Sequence, residues 1–144
     1  MRSTVMMLAL ALALGPFAAS AAPPTPDAQG DWWTPGFNAR VRIEACADNT
    51  ICGRIVWLWD DKPEGIADKT PLVGKLVIDQ MKLAQPGQWA GGRLYNPEDG
   101  RDYKGSLQLR SDSTLVVSGC VLFICQTQVW RRADLARCPP VAPP

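Results

Sequence analysis

Between Trp89 and Tyr103 the chain spells out a hairpin: the run Trp-Ala-Gly-Gly-Arg-Leu-Tyr, the turn Asn96-Pro97-Glu98-Asp99-Gly100, and a second run opening with Arg-Asp-Tyr. Pro97 presets φ at the first turn position, Asn96 can accept backbone hydrogen bonds at the turn entry, and Gly100 supplies the left-handed residue that closes it. With Asn96 and Arg101 flanking the turn, Leu94 is expected opposite Tyr103, Gly92 opposite Gly105 and Ala90 opposite Leu107. Side chains alternate with period two, so this register puts a small apolar face on one side. Trp89, Arg93, Tyr95, Asp102, Lys104 and Gln108 then fall on the other. Gly91, Gly92 and Gly105 lie inside these strands, where glycine marks a bend, a bulge or a close approach.

The same plan recurs along the chain. Residues 37–46 and 51–59 form a hairpin whose register follows from setting Cys46 opposite Cys52, so that Glu44 faces Arg54, Ile43 faces Ile55 and Val41 faces Trp57. Val41, Ile43, Ala45, Ile55, Trp57 and Trp59 then share one face, and Arg40, Arg42, Glu44 and Arg54 the other. Residues 60–71 are a charged loop without apolar period. Residues 74–81 are expected as a strand, with a short helix over 75–83 as the alternative, and Gln85-Pro86-Gly87 turns into the hairpin above. Residues 103–110 lead to the turn Arg110-Ser111-Asp112-Ser113. In the last hairpin, residues 114–120 and 125–132, pairing Cys120 with Cys125 puts Leu115 opposite Trp130 and Val116 opposite Val129. Gln126 and Gln128 then share the face of Leu115, Val117 and Trp130; either that face holds polar groups inside, or the register differs. Eight short strands with tight connections and no helix of three turns predict an all-β protein, an eight-stranded antiparallel up-and-down barrel, which removes its own edges by closing.

The N-terminus carries an export signal over residues 1–21: Arg2, the apolar run from Val5 to Leu14, and the small-x-small site Ala19-Ser20-Ala21. An uncleaved N-terminal anchor is the alternative, although the run is short for a membrane span. Cleavage leaves a Pro-rich leader over 22–29, one domain over 30–132 and a Pro-rich tail over 133–144, with no integral membrane segment. The expected location is the periplasm. The sequence has 15 Lys+Arg and 14 Asp+Glu, and removing Arg2 leaves 14 of each. A neutral surface without a basic run argues against nucleic acid as a partner. Five cysteines in an exported chain point to disulfides with one left over. Cys46 with Cys52 and Cys120 with Cys125 each close their own hairpin, while Cys138 stands alone in the tail, open to pairing with a second chain.

Gly30-Asp31-Trp32 ahead of the first strand and Trp130-Arg131-Arg132 at the end of the last are similar to the two ends of the lipocalin-type signature. A longer constellation runs through Val41 to Cys46, Cys52 to Leu58, Trp89 to Gly100, and Gly119-Cys120 ahead of Cys125 and Trp130. Together these resemble an exported bacterial domain-of-unknown-function family with a lipocalin-like (calycin-type) barrel, over residues 30–132. The resemblance implies that an arginine of the last strand, Arg131 or Arg132, stacks on Trp32 and closes the barrel base, with Gly30 and Trp130 beside it. It brings no ligand or reaction. The loop over residues 60–71 is shorter than the resemblance implies, which bears on the barrel mouth.

Chemistry has little to work with. The chain has no histidine, which removes Ser-His and Cys-His nucleophiles and the commonest zinc ligand. Glu98, Asp99 and Asp102 sit at a turn tip as solvated carboxylates, and Cys46 and Cys52 lack the Cys-x-x-Cys spacing of a redox couple. The expectation is therefore no catalytic residue, no metal, no cofactor and no enzyme. The six tryptophans carry more. An eight-stranded barrel stands between a solid core and one with room for a small ligand. The candidates for lining such a space are Trp57, Trp59, Tyr103, Leu115, Gln126 and Gln128, and the expected partner is a small apolar or amphipathic molecule. The alternative is a solid-cored interaction module using an exposed patch of Trp89, Arg93 and Tyr95.

Overall fold

The computed structural model describes residues 27–133, so the segments expected as export signal, most of the leader and nearly all of the tail, with Cys138, lie outside the described residues. Eight strands follow one another: β1 Gly30–Trp33, β2 Ala39–Ala45, β3 Thr50–Leu58, β4 Leu76–Gln85, β5 Gln88–Asn96, β6 Arg101–Ser111, β7 Thr114–Val121 and β8 Ile124–Arg132. Each pairs antiparallel with its neighbour, and β8 returns to β1, giving a closed up-and-down barrel. Among the described residues no helix is long and apolar enough to cross a membrane. Residues 76–85 are strand rather than helix, and the strand starts and ends later than its apolar run suggests.

The glycine-bearing strand β5 shows how local chemistry sets the register. From Gly92 to Asn96 the pairing with β6 is the one expected: Gly92 with Gly105, Leu94 with Tyr103, Asn96 with Arg101. At Gly91 the chain takes a left-handed φ of 75° and adds one residue to β5, so Ala90 meets Ser106 and Trp89 meets Leu107. The extra residue turns Trp89 inward, and it is buried in the core at 6 % exposure. Gly92 is a close approach, because a Cβ there would stand 2.8 Å from the backbone nitrogen of Met81.

The β2–β3 hairpin departs from its expected register by two residues. Ala47–Asn49 form a single 3₁₀ turn, with Asp48 and Asn49 at positive φ, and the Cys46 N–H donates to Thr50 O at 2.7 Å. Cys46 therefore lies opposite Thr50, and its disulfide to Cys52 runs diagonally, with Glu44 opposite Cys52, Ile43 opposite Gly53 and Val41 opposite Ile55. A second bulge follows. Arg40 pairs with Trp57, so Val56 is an extra residue on β3 and Trp57 moves to the outer face. The last hairpin matches expectation along its length, including Leu115 with Trp130, Val117 with Gln128 and Cys120 with Cys125, and the second disulfide is formed.

Turns alternate between two ends. The base holds the β2–β3, β4–β5 and β6–β7 turns; the mouth holds the segment 34–38, the long loop between β3 and β4, and the β5–β6 and β7–β8 turns. Trp32, Ile43, Ile78, Met81, Leu107 and Leu115 are nearly inaccessible and fill the lower barrel.

The first and last strands meet through few backbone pairs, Trp32 with Arg132 and Trp33 with Arg131. Arg132 reinforces the seam: its guanidinium carbon lies 4.2 Å from the Trp32 ring centroid, and it donates to Gln29 O at 2.7 Å, Asp27 O at 2.9 Å and Asp112 O. Trp32 in turn donates its ring N–H to Ala28 O at 2.7 Å. Asp27 to Gln29, expected as leader, thus belong to the packed base, and Ala28 is fully buried. Gly30 leaves the space Arg132 occupies, since a Cβ would lie 2.9 Å from its Nη1. Arg131 faces away and donates to Thr114 Oγ1 at 2.9 Å. Replacing Arg132 with Ala removes a cation–π contact and three charge-assisted bonds to carbonyls, and should lower stability by about 2 kcal/mol. Arg131→Ala should change it by less than about 0.5 kcal/mol. Urea unfolding midpoints of the two variants check the difference.

Candidate functional site

The upper half of the barrel is hollow. A cavity of about 550 Å³ opens at the mouth, with Val41, Ile55, Leu58, Val77, Leu94 and Val117 among its apolar walls and Trp130 on its floor. Its hollowness follows from what β2, β7 and β8 point inward near the mouth: Ala39, Gly119, Gln126 and Gln128, which are small or polar rather than bulky and apolar. Gln126 and Gln128 thus stand inside on the apolar face. The Gln128 carbonyl accepts the Trp130 ring N–H at 2.9 Å, which leaves the Gln128 amide N–H groups and the whole Gln126 amide to the cavity.

Of the six residues expected to line such a space, Trp59, Tyr103, Gln126 and Gln128 do so. Leu115 does not: it is fully buried in the packed lower core opposite Trp130. Trp57 does not either, because the bulge at Val56 puts it outside, edge-on to Trp33 with ring centroids 5.4 Å apart. Trp33 also meets Phe37 and lies under the Arg40 guanidinium, and Trp57 leans on Trp59 at 6.3 Å. Trp59, just past the end of β3, bridges the two sets and is 58 % exposed.

The patch expected from Trp89, Arg93 and Tyr95 does not form, since Trp89 is in the core. Arg93 spans Asp79 at 3.0 Å and Asp102 at 3.2 Å on the outer wall, and Tyr95 is drawn to the mouth. The large exposed apolar side chains lie elsewhere. The β7–β8 turn presents Leu122, Phe123 and Ile124, exposed at 90, 100 and 76 %, beside a groove that shares Tyr103, Gly119 and Gln126 with the cavity.

The loop between β3 and β4 is a lid, which its charge pattern concealed. Leu72 is buried in the core and Ile66 packs on it, so two apolar residues anchor an otherwise polar segment. The Ala67 and Asp68 amides donate to Glu98 O and Pro97 O in the β5–β6 turn, at 2.9 and 3.1 Å. The Asp68 carboxylate is the clasp. It accepts from Lys75 Nζ at 2.5 Å, Tyr95 Oη at 2.7 Å, and the Thr70 amide and hydroxyl at 2.9 and 2.6 Å. These donors, Lys75 foremost, hold Asp68 far below the usual carboxylate range, and the same contact raises the Tyr95 phenol. Beyond the lid, Tyr103 donates its hydroxyl to Asp99, which lowers the Asp99 carboxyl and raises the phenol. Among the described residues no group of three or more Cys, Asp or Glu is placed to hold a metal ion.

Residues 30–132 match the bacterial family described as "Uncharacterized protein conserved in bacteria (DUF2147)". The chain belongs to this family. No curated protein matches it. Among solved structures, protein HP1028 from the human pathogen Helicobacter pylori, described as belonging to the lipocalin family, is similar at a TM-score of 0.61 and 15 % identity. The likeness covers 76 % of this chain and 85 % of that one, and it establishes a lipocalin-like fold for this DUF2147 member.

Because the folded-state value of Asp68 is depressed, its contribution is fully present above the ordinary value of 3.8 and is lost as pH falls through the folded one. The lid of this family member should therefore stay clasped at neutral and mildly acidic pH and loosen only in stronger acid. Amide exchange at Ala67 and Asp68 should show protection persisting to pH 4 in the native protein and lost at neutral pH in Asp68→Asn.

Proposed function

We propose that this DUF2147 protein is a non-enzymatic carrier or sensor that takes up a small apolar or amphipathic molecule in its barrel. One observation carries the reading: a cavity of about 550 Å³ with apolar walls, a few polar side chains and a single clasped lid at its mouth. That volume falls within the usual range of small-molecule sites, about 300–1,000 Å³. The absence of histidine and the placing of Glu98 and Asp99 at a turn support binding over catalysis. The export signal over residues 1–21 supports a periplasmic setting. The interaction-module reading has one observation in its favour, now at a different place: the exposed apolar tip of the β7–β8 turn.

A neutral environment-sensitive dye such as N-phenyl-1-naphthylamine should bind with one-to-one stoichiometry and a fluorescence rise. Gln126→Trp puts a large ring where the present side chain is solvent-accessible within the cavity, so it should weaken dye binding by about tenfold or more while changing the unfolding free energy, from urea titration, by less than about 0.5 kcal/mol. Dye binding that ignores this substitution would place the dye, and the proposed function, elsewhere.

A further inference from the structure

We propose that the cavity selects an amphiphile with a cationic head group, an ammonium rather than a carboxylate, held at the mouth while the apolar body fills the barrel. This rests on the carrier reading and adds the charge class of the ligand.

The charge lining the opening is one-sided. Among the described residues that line the cavity there is no Lys or Arg, whereas Asp60 and Glu98 both stand on its rim. Neither carboxylate takes part in any ion pair among the described residues. Of the cations near the mouth, Lys62 and Lys69 are carried by the lid but do not line the cavity, Lys75 is committed to Asp68 and Thr70, Arg93 is held on the outer wall by Asp79 and Asp102, and Arg101 lines the neighbouring groove beside the β7–β8 turn. Two unpaired carboxylates at the rim of a cleft with low-dielectric walls focus a negative potential into it.

The neutral polar groups lean the same way. Tyr95 and Tyr103 line the cavity, but both hydroxyl hydrogens are already donated, to Asp68 and Asp99. What the two phenols can still offer an incoming head group is lone pairs. Beyond these, the donors that remain are the side-chain amides, chiefly those of Gln126 and Gln128, and the Trp59 indole N–H. Trp59, Tyr103 and Trp130 add aromatic rings, whose faces attract cations and repel anions. A carboxylate entering here meets like charge and ring faces, with a few amide donors and the Trp59 indole N–H; an ammonium meets opposite charge, acceptors and the same faces.

The test compares dodecylamine, dodecanol and dodecanoate, equal in chain and different in head, each displacing N-phenyl-1-naphthylamine at pH 7 and below its micelle concentration. The amine should displace the dye at the lowest concentration and the carboxylate at one about tenfold higher or more, with the alcohol between. In the double variant Asp60→Asn, Glu98→Gln, the amine-to-carboxylate ratio should fall by about fivefold or more, and raising the salt should compress it in the native protein. Dodecanoate binding as tightly as the amine overturns the proposal, as does a ratio untouched by the double substitution, or dye that none of the three displaces. Failure of the dye itself to bind sinks the carrier reading instead, and this inference with it.

Discussion

A sheet of eight strands has to close or leave two edges exposed, and here closure rests on Arg132 lying over Trp32. The backbone seam between β1 and β8 joins only two residue pairs, so it is short for a strand pair that must hold a barrel shut. The guanidinium makes up the difference by binding carbonyls from both sides of the seam, Asp27 and Gln29 before β1 and Asp112 in the β6–β7 turn. Arg suits this place better than Lys would, because a planar fork can stack on an indole and still donate in three directions. With Trp32 fully buried beneath it, that end of the barrel is sealed, and the cavity opens between the lid and the turns at the opposite end.

The polarity of the mouth follows from how the lid is fastened. A loop carrying Asp60, Asp61, Lys62, Glu64, Asp68 and Lys69 cannot lie over an apolar opening by burial alone. Leu72 and Ile66 anchor it from below, and Asp68 gathers Lys75, Tyr95 and Thr70 above. The clasp consumes the Lys75 cation and the Tyr95 hydroxyl hydrogen. Lys75 and Asp68 cancel one another's charge, and the phenol that remains offers the mouth lone pairs rather than a donor.

The barrel, its strand order, both disulfides and the β7–β8 register were legible in the sequence because each depends on signals a few residues apart: turn residues, alternation, paired cysteines. The Trp32 closure, between residues far apart in the chain, was implied only by the resemblance to the lipocalin-type signature, which left Arg131 and Arg132 both open. The β5–β6 register went astray where one residue was added, whereas the β2–β3 register was off by two because the Cys46–Cys52 bridge runs diagonally, with one residue more added at Val56. Counting by twos from the Asn96–Arg101 turn is right as far as Gly92 and wrong by one at Trp89. Gly91 was visible as a place where a bulge could sit, but three strand glycines offered three places, and only packing against β4 distinguishes a close approach at Gly92 from a bulge at Gly91. At Val56 there was no glycine to mark the irregularity. Lid formation was hidden for a different reason, since its anchors are two isolated apolar residues whose partners lie in distant strands.

Those two bulges also decide why the barrel is solid at one end and hollow at the other. A tryptophan is the largest body an inward position can hold, covering roughly 150–250 Å². In an unbroken alternation Trp89 would point out from the lower barrel and Trp57 would point in near the mouth. The extra residue at Gly91 brings Trp89 into the base, beside Leu107, where it helps seal the core. The extra residue at Val56 takes Trp57 out to meet Trp33 edge-on, and leaves Leu58 and Ala39 as the inward pair at that level. Had Trp57 stayed inside, its indole would occupy much of the space enclosed by Val41, Ile55 and Leu58. The cavity is therefore a consequence of where single residues were inserted into the strands, more than of which residues the strands contain.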